Sequence, residues 1–260
     1  MILDQILEFK RTEIKELKER VSLVEIEKKA RELKAPKRSL QNVLSVKSNR
    51  PHLICELKKA SPSGGVLRAN FDPLGLARIF EEEKASGISV LTERNFFQGN
   101  PDTPKSIRPI TTLPLLRKDF IVDVYQIFET ALLLADTYLL IVSILSNQDL
   151  KLFLSIGRSL GMEPIVEVHT DEELDRAIQA GALMIGVNSR NLKSLTIDRE
   201  IPAHMLKRIP SGVIAIVESG IASRTDIEYY KSYGANCFLI GTVLMKAPDV
   251  RSKIRELMEF

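Results

Sequence analysis

Eight short apolar runs recur from residue 52 onward, and they constrain the fold more than any other feature of the chain. They read HLICELK (52–58), ISVLTE (88–93), LPLLRKDF (113–120), TYLLIVSIL (137–145), EPIVEVH (163–169), LMIGVNSR (183–190), VIAIVESG (213–220) and CFLIGTVL (237–244). Each is nearly continuous in apolar residues instead of alternating, the pattern of parallel strands covered on both faces. Between most of them lies an amphipathic stretch closed by a glycine or small-residue stop, such as LGLARIFEEEKASG, DLKLFLSIGRSLG, DEELDRAIQAG and RTDIEYYKSYG. Strand then helix, repeated eight times at even spacing, predicts an α/β fold, a single (β/α)8 TIM barrel. An open doubly wound sheet is the alternative, and it does not need such even spacing.

Ahead of the barrel, Ile2, Leu3, Ile6, Leu7, Ile14, Leu17 and Val21 recur at three- and four-residue steps and predict helix over 2–34. The segment Lys34-Ala35-Pro36-Lys37-Arg38-Ser39 breaks that pattern, and a short helix is expected around residues 40–46. Residues 1–260 are thus expected to form one domain, with 1–48 as an N-terminal helical extension over the barrel. At 260 residues and 44% hydrophobic content, the chain can bury the large core that this requires.

Bulk properties narrow the partners. The net charge of +3 is a mild excess, suited to a small anionic substrate; nucleic acid would call for a concentrated basic strip. No apolar run is long enough to span a membrane, and the start of the chain lacks a signal peptide's features, so a cytoplasmic protein is expected. Three histidines, none at metal-ligand spacing, predict no protein-held metal, and no GxGxxG turn points to a dinucleotide cofactor. Cys55 and Cys237 sit inside apolar runs without a CxxC pair and are expected to be reduced. They lie on the first and last strands, which adjoin in a closed barrel, so their thiols are expected to be neighbours.

In a barrel of this kind the C-terminal strand ends carry the active site. Most runs turn polar there: Glu56 and Lys58, Thr92 and Glu93, Lys118 and Asp119, Ser143, Glu167 and His169, Asn188 and Arg190, Glu218, Ser219 and Gly220, Gly241 and Thr242. Alternation puts Glu56 and Lys58 on one face, Glu167 with His169, and Asn188 with Arg190. Lys118 ends a buried strand, where partial desolvation and nearby carboxylates suit proton donation or Schiff-base chemistry. A buried ion pair without catalysis is the plainer reading of the same residues. The loops after runs seven and eight place Gly220 and Gly241 where this fold commonly holds a phosphate group.

Taken in order, ELKKASPSGG, SVLTERNFFQGN, LLRKDFIVDVYQI, MEPIVEVH, IGVNSRNL, VESGI and FLIGTVLM resemble indole-3-glycerol phosphate synthase over nearly the whole chain. LRKDFI and KKASPS are specific to that family, whereas the phosphate loops are common to many barrels. The resemblance implies closure of an indole ring from 1-(2-carboxyphenylamino)-1-deoxyribulose 5-phosphate, a lyase step of tryptophan biosynthesis that releases carbon dioxide and water. It makes Lys118 the general acid on the substrate carbonyl oxygen and puts Glu167 beside the developing cation. Glu56 and Lys58 become an acid–base pair for the dehydration. Asn188, Arg190, Glu218 and Ser219 match further site positions, Ser61 and Phe97 match the substrate pocket, and Gly220, Gly241 and Thr242 match the phosphate loops. The aryl group also requires an apolar surface, for which Phe97, Phe120 and the apolar face of the first helix are candidates. The reaction implies no cofactor, and association with other enzymes of the pathway is conceivable in trans. Three positions depart from the family pattern: Asn191 stands where aspartate is frequent, Leu40 where an aromatic residue is frequent, and Ala135-Asp136 follows Leu134 where glycine is usual.

Overall fold

A computed structural model describes residues 2–35, 37–190 and 196–258 of the chain, so that Pro36 in the interhelix break and Asn191 lie outside the described residues. In chain order its elements begin with α1 (Ile2–Arg20), α2 (Leu23–Glu32) and α3 (Leu40–Leu44). The barrel strands are β1 (His52–Leu57), β2 (Gly87–Leu91), β3 (Leu115–Lys118), β4 (Thr137–Ile141), β5 (Ile165–Val168), β6 (Met184–Asn188), β7 (Ile214–Glu218) and β8 (Cys237–Ile240). Between and after them run α4 (Pro73–Glu82), α5 (Thr103–Ile107), α6 (Val124–Leu132), α7 (Asn147–Ser159), α8 (Asp171–Gln179), α9 (Glu200–Leu206), α10 (Arg224–Lys231), α11 (Thr242–Lys246) and α12 (Val250–Met258). All eight strands are parallel and close on themselves through β1 and β8, in the register Leu53 opposite Phe238 and Ile54 opposite Leu239. The closed barrel follows from the apolar runs: strands without a polar face must be covered on both sides, and closure removes the edges. Among the described residues, no helix is long and apolar enough to cross a membrane.

The two faces of each strand join different cores. Leu53, Cys55 and Leu57 pack outward with Leu76, Phe80 and Ile254 of the surrounding helices. Ile54, Leu116, Leu139, Ile165, Met184, Ile216 and Leu239 fill the barrel interior. This corrects the expected contact between the two thiols. Cys237 belongs to the interior cluster and Cys55 to the outer one, while the register puts Cys237 opposite His52 and Cys55 opposite Ile240. Adjacent strands do not make every pair of residues on them neighbours, because side-chain faces and stagger intervene.

The N-terminal region is two helices where one was expected. Ser22 leaves the helical conformation, and its hydroxyl accepts from the Glu25 backbone N–H at 3.2 Å, starting α2 afresh. Ile2, Leu3 and Ile6 of α1 reach the barrel mouth, whereas Ile26 and Ala30 of α2 pack with Tyr125 and Phe128 of α6. Leu40 of α3 meets Gly87 at the start of β2, under the opposite end of the barrel. One buried cation pins α1. Lys10, only 4% exposed, pairs with Glu13 at 2.7 Å and with the fully buried Asp119 at 3.0 Å. At Leu134, φ is +59°, and the N–H groups of Leu134 and Ala135 turn back to Ala131 and Thr130. The chain thus ends α6 in a left-handed turn without the residue that adopts it most easily.

Candidate active site

The strand period aims alternate residues into the mouth, and closure gathers those residues from all sides. Glu56, Lys58, Ser61, Phe97, Lys118, Phe120, Glu167, Asn188, Arg190, Glu218, Ser219 and Thr242 line one cavity there. Its apolar part comes from Ile2, Leu3 and Ile6 of α1 and from Leu91, Leu139, Ile141 and Leu239 of the strands. Phe97 and Phe120 stand 6.1 Å apart between ring centroids. Glu93, which ends the second apolar run, does not reach the cavity; its carboxylate accepts from the backbone N–H groups of Asn95, Phe96 and Phe97 and so holds the loop that presents Phe97.

Lys118 is the hub of the charged groups. Its Nζ donates to Glu167 Oε2 at 2.9 Å, and it also bonds Glu218 Oε2. Burial works against its ammonium charge, yet Glu167, Glu218 and Glu56 outweigh that penalty and raise its pKa above the usual lysine value. Glu167 is equally buried, and there the Lys118 and His169 charges outweigh desolvation and hold the carboxyl well below its ordinary range. Glu218 goes the other way: burial, reinforced by Glu167, prevails over Lys118 and pushes it up to about 7. Across the mouth, Lys58 Nζ pairs with Glu56 Oε2 at 2.5 Å. Asn188 Oδ1 accepts from the Arg190 backbone N–H at 3.0 Å, and the Arg190 guanidinium reaches Ser63 Oγ at 3.4 Å.

Two of the expected residues do not face the cavity. A Cβ on Gly241 would sit 2.1 Å from Glu56 Oε2, so this glycine is the space that the Glu56 carboxylate occupies. Gly220 adopts a φ of +71°, and a Cβ there would meet Ser189 and Ile197 at 2.9 Å. Gly186, absent from the sequence reading, makes the same allowance for Glu218, whose Oε1 lies 2.1 Å from where its Cβ would be. A glycine inside an otherwise apolar strand was its visible signal. Leu139, Ile141 and Leu239 were also legible, since they share the mouth-facing parity of their strands. Among the described residues, no three His, Cys, Asp or Glu side chains are grouped so as to hold a metal ion.

Comparison with known proteins identifies the family. The family model described as indole-3-glycerol phosphate synthase matches residues 3–257. The chain is similar to the indole-3-glycerol phosphate synthase of Acetivibrio thermocellus, 42% identical over 259 residues that cover 98% of each chain. It is also similar to that of Alkaliphilus metalliredigens, 39% identical over 257 residues, 99% of this chain and 98% of the relative. Among solved structures it resembles the thiamine phosphate pyrophosphorylase of Pyrococcus furiosus, with a TM-score of 0.60 at 15% identity over 84% of this chain and 96% of the other, a likeness of fold alone. With a family match that runs almost end to end and a charged barrel mouth at the strand ends, the chain belongs to the indole-3-glycerol phosphate synthase family.

Proposed function

We propose that the groups on the barrel mouth divide the work of an indole-3-glycerol phosphate synthase among them. The activity is that of the family: ring closure of 1-(2-carboxyphenylamino)-1-deoxyribulose 5-phosphate with loss of carbon dioxide and water, in tryptophan biosynthesis. The observation that carries the division of labour is the Lys118 ammonium held between Glu167 and Glu218 beside an apolar, aromatic wall.

The aryl ring lies against Phe97, Phe120 and the α1 side chains. Lys118 protonates the ribulose carbonyl oxygen as the carboxylate-bearing aryl carbon attacks the carbonyl carbon. The resulting cation is stabilised by the ionised Glu167. The carbon–carboxylate bond then breaks, its electron pair restores the aromatic ring, and carbon dioxide departs. In the dehydration, Lys58 protonates the leaving hydroxyl and Glu56 takes the proton from the neighbouring carbon, which forms the ring double bond. Glu218, poised near neutrality, holds Lys118 while ionised and is the group whose charge changes in the working range. Asn188, Arg190, Ser61 and Ser219 position the substrate's polar groups. The phosphate lies at the loops after β7 and β8, with Thr242 at its wall and Gly220 and Gly241 shaping the backbone around it. In this reading 1–48 and the barrel are one domain, a view supported by the Lys10–Asp119 pair. We also place the protein in the cytoplasm, where transient association with neighbouring enzymes of the pathway is open to it.

Purified protein is expected to form a fluorescent indole product from this substrate without added cofactor. Lys118→Ala is expected to lower kcat by about 1,000-fold or more with the fold intact by circular dichroism; activity near wild type would remove Lys118 from the chemistry. A Schiff-base aldolase is the competing reading of a buried lysine. Borohydride trapping with substrate is expected to leave no adduct on Lys118, because an amine held charged by two carboxylates lacks the free lone pair that imine formation needs.

A further inference from the structure

His169 is not used by the chemistry above, yet it stands against one of its groups. Two residues beyond Glu167 on the same strand face, its ring lies between two carboxylates. Nδ1 is 3.3 Å from Glu173 Oε2, and Nε2 is 3.3 Å from Glu167 Oε1. Nε2 is fully buried without a hydrogen bond. Glu173, in the first turn of α8, also accepts from the His169 backbone N–H at 2.7 Å, which fixes the ring's root as well as its edge. The other oxygen of Glu167 is taken by Lys118.

We infer that His169 is a positioning residue for ring closure: as an imidazolium wedged between Glu173 and Glu167, it keeps the Glu167 carboxylate ionised and turned toward the mouth. The inference rests on the reading that Glu167 stabilises the cationic intermediate. A neutral imidazole fits poorly in this place. Either tautomer has one nitrogen with a lone pair, and that lone pair would face Glu167 in one tautomer and Glu173 in the other. The cation alone offers a donor to both. The charged groups around the ring are Glu167 on its own strand, Glu173 from α8, and, through Glu167, Lys118 and Glu218 across the mouth. Burial opposes the charge, but the two carboxylates prevail and push the ring's pKa up to about 9. With cations on both oxygens, Glu167 stays an anion while the substrate develops positive charge, and its carboxylate plane is held in one orientation.

The test is ring 15N NMR of the ligand-free wild-type enzyme, joined to pH–rate profiles. The chain has only three histidines, so His169→Gln identifies the resonances. Both His169 ring nitrogens are expected at imidazolium positions at neutral pH, titrating with a midpoint near 9. Glu173→Gln, which leaves every mouth group in place, is expected to lower that midpoint by about one unit or more and to move the alkaline limb of kcat/KM by the same amount. His169→Gln is expected to lower kcat about tenfold with little change in KM and to remove that limb. A neutral ring at neutral pH, or an alkaline limb unmoved by Glu173→Gln, overturns the inference. Absence of indole product from the wild-type enzyme overturns instead the reading of the site, and the NMR titration is independent of it.

Discussion

At the scale of single residues, the mouth is a set of carboxylates whose environments pull their pKa values apart. Glu167 and Glu218 are equally buried and share Lys118, yet one is held ionised and the other lies near neutrality. The difference comes from His169, which touches Glu167 and not Glu218, and from the charge of Glu167 itself, which opposes ionisation of Glu218. Such divergence is how one site carries both acid and base work at one pH. It has a sign that can be checked. As pH falls through about 7, Glu218 takes up a proton and Lys118 loses one of its two ionised partners, so kcat/KM is expected to fall on the acid side with an apparent pKa near 7. Glu218→Gln is expected to remove that acid limb and to lower the plateau by about tenfold to a hundredfold. A limb that persists in the variant assigns it to another group. Two glycines belong to the same scale, since Gly186 and Gly241 are the spaces into which Glu218 and Glu56 fold. The polar strand ends, with alternation along some of the strands, named the carboxylates, but only the packed backbone identified which glycines make room for them.

At the scale of elements, α1 has two functions that its apolar periodicity does not separate. Its first turns supply Ile2, Leu3 and Ile6 to the cavity, and one turn later Lys10 is buried on Asp119, the residue after Lys118. Asp119 also accepts from Thr92 Oγ1 at 2.6 Å and pairs with Arg117 at 3.2 Å, so the helix is tied to the strand ends by a network of buried charge. Removing one partner of such a pair leaves a buried charge short of compensation. Lys10→Met is therefore expected to destabilise the protein by about 3 kcal/mol in urea unfolding, with KM raised as the apolar wall of the cavity loosens. Asp119→Asn added to Lys10→Met is expected to recover part of the stability; equal stability of Lys10→Met and wild type would show that the pair does not hold the helix. The sequence places Lys10 on an amphipathic helix among many surface lysines. Nothing local distinguishes it, because its partner lies more than a hundred residues away. The break at Ser22, by contrast, was visible as Ser-x-x-Glu, a helix-start signature that a longer apolar period masked.

At the scale of the whole molecule, the barrel has two concentric cores, and the cysteines report on them separately. Cys55 is fully buried between sheet and helices, and Cys237 is buried inside the barrel. Burial raises the Cys55 thiol well above its usual value and pushes Cys237 up to about 12, so neither is a reactive thiolate in the native state. Both are expected to resist maleimide labelling until global unfolding and to form no disulfide under mild oxidation; rapid labelling of one alone would mean that its layer opens independently.

Much of this architecture was present in the order of the residues. Apolar continuity predicted parallel strands, even spacing predicted their closure, and polar strand ends named the side chains that converge on the mouth. These are local properties, governed by the two-residue period of a strand and the helical stops between strands. What tertiary structure decided is which groups meet. Lys118 chooses Glu218 as well as Glu167, Cys237 turns away from Cys55, His169 is caught between two carboxylates, and Lys10 finds Asp119. Each of these depends on stagger between strands, on the seating of helices or on closure of the barrel, and a linear pattern sets the face of a residue without setting the neighbour across it.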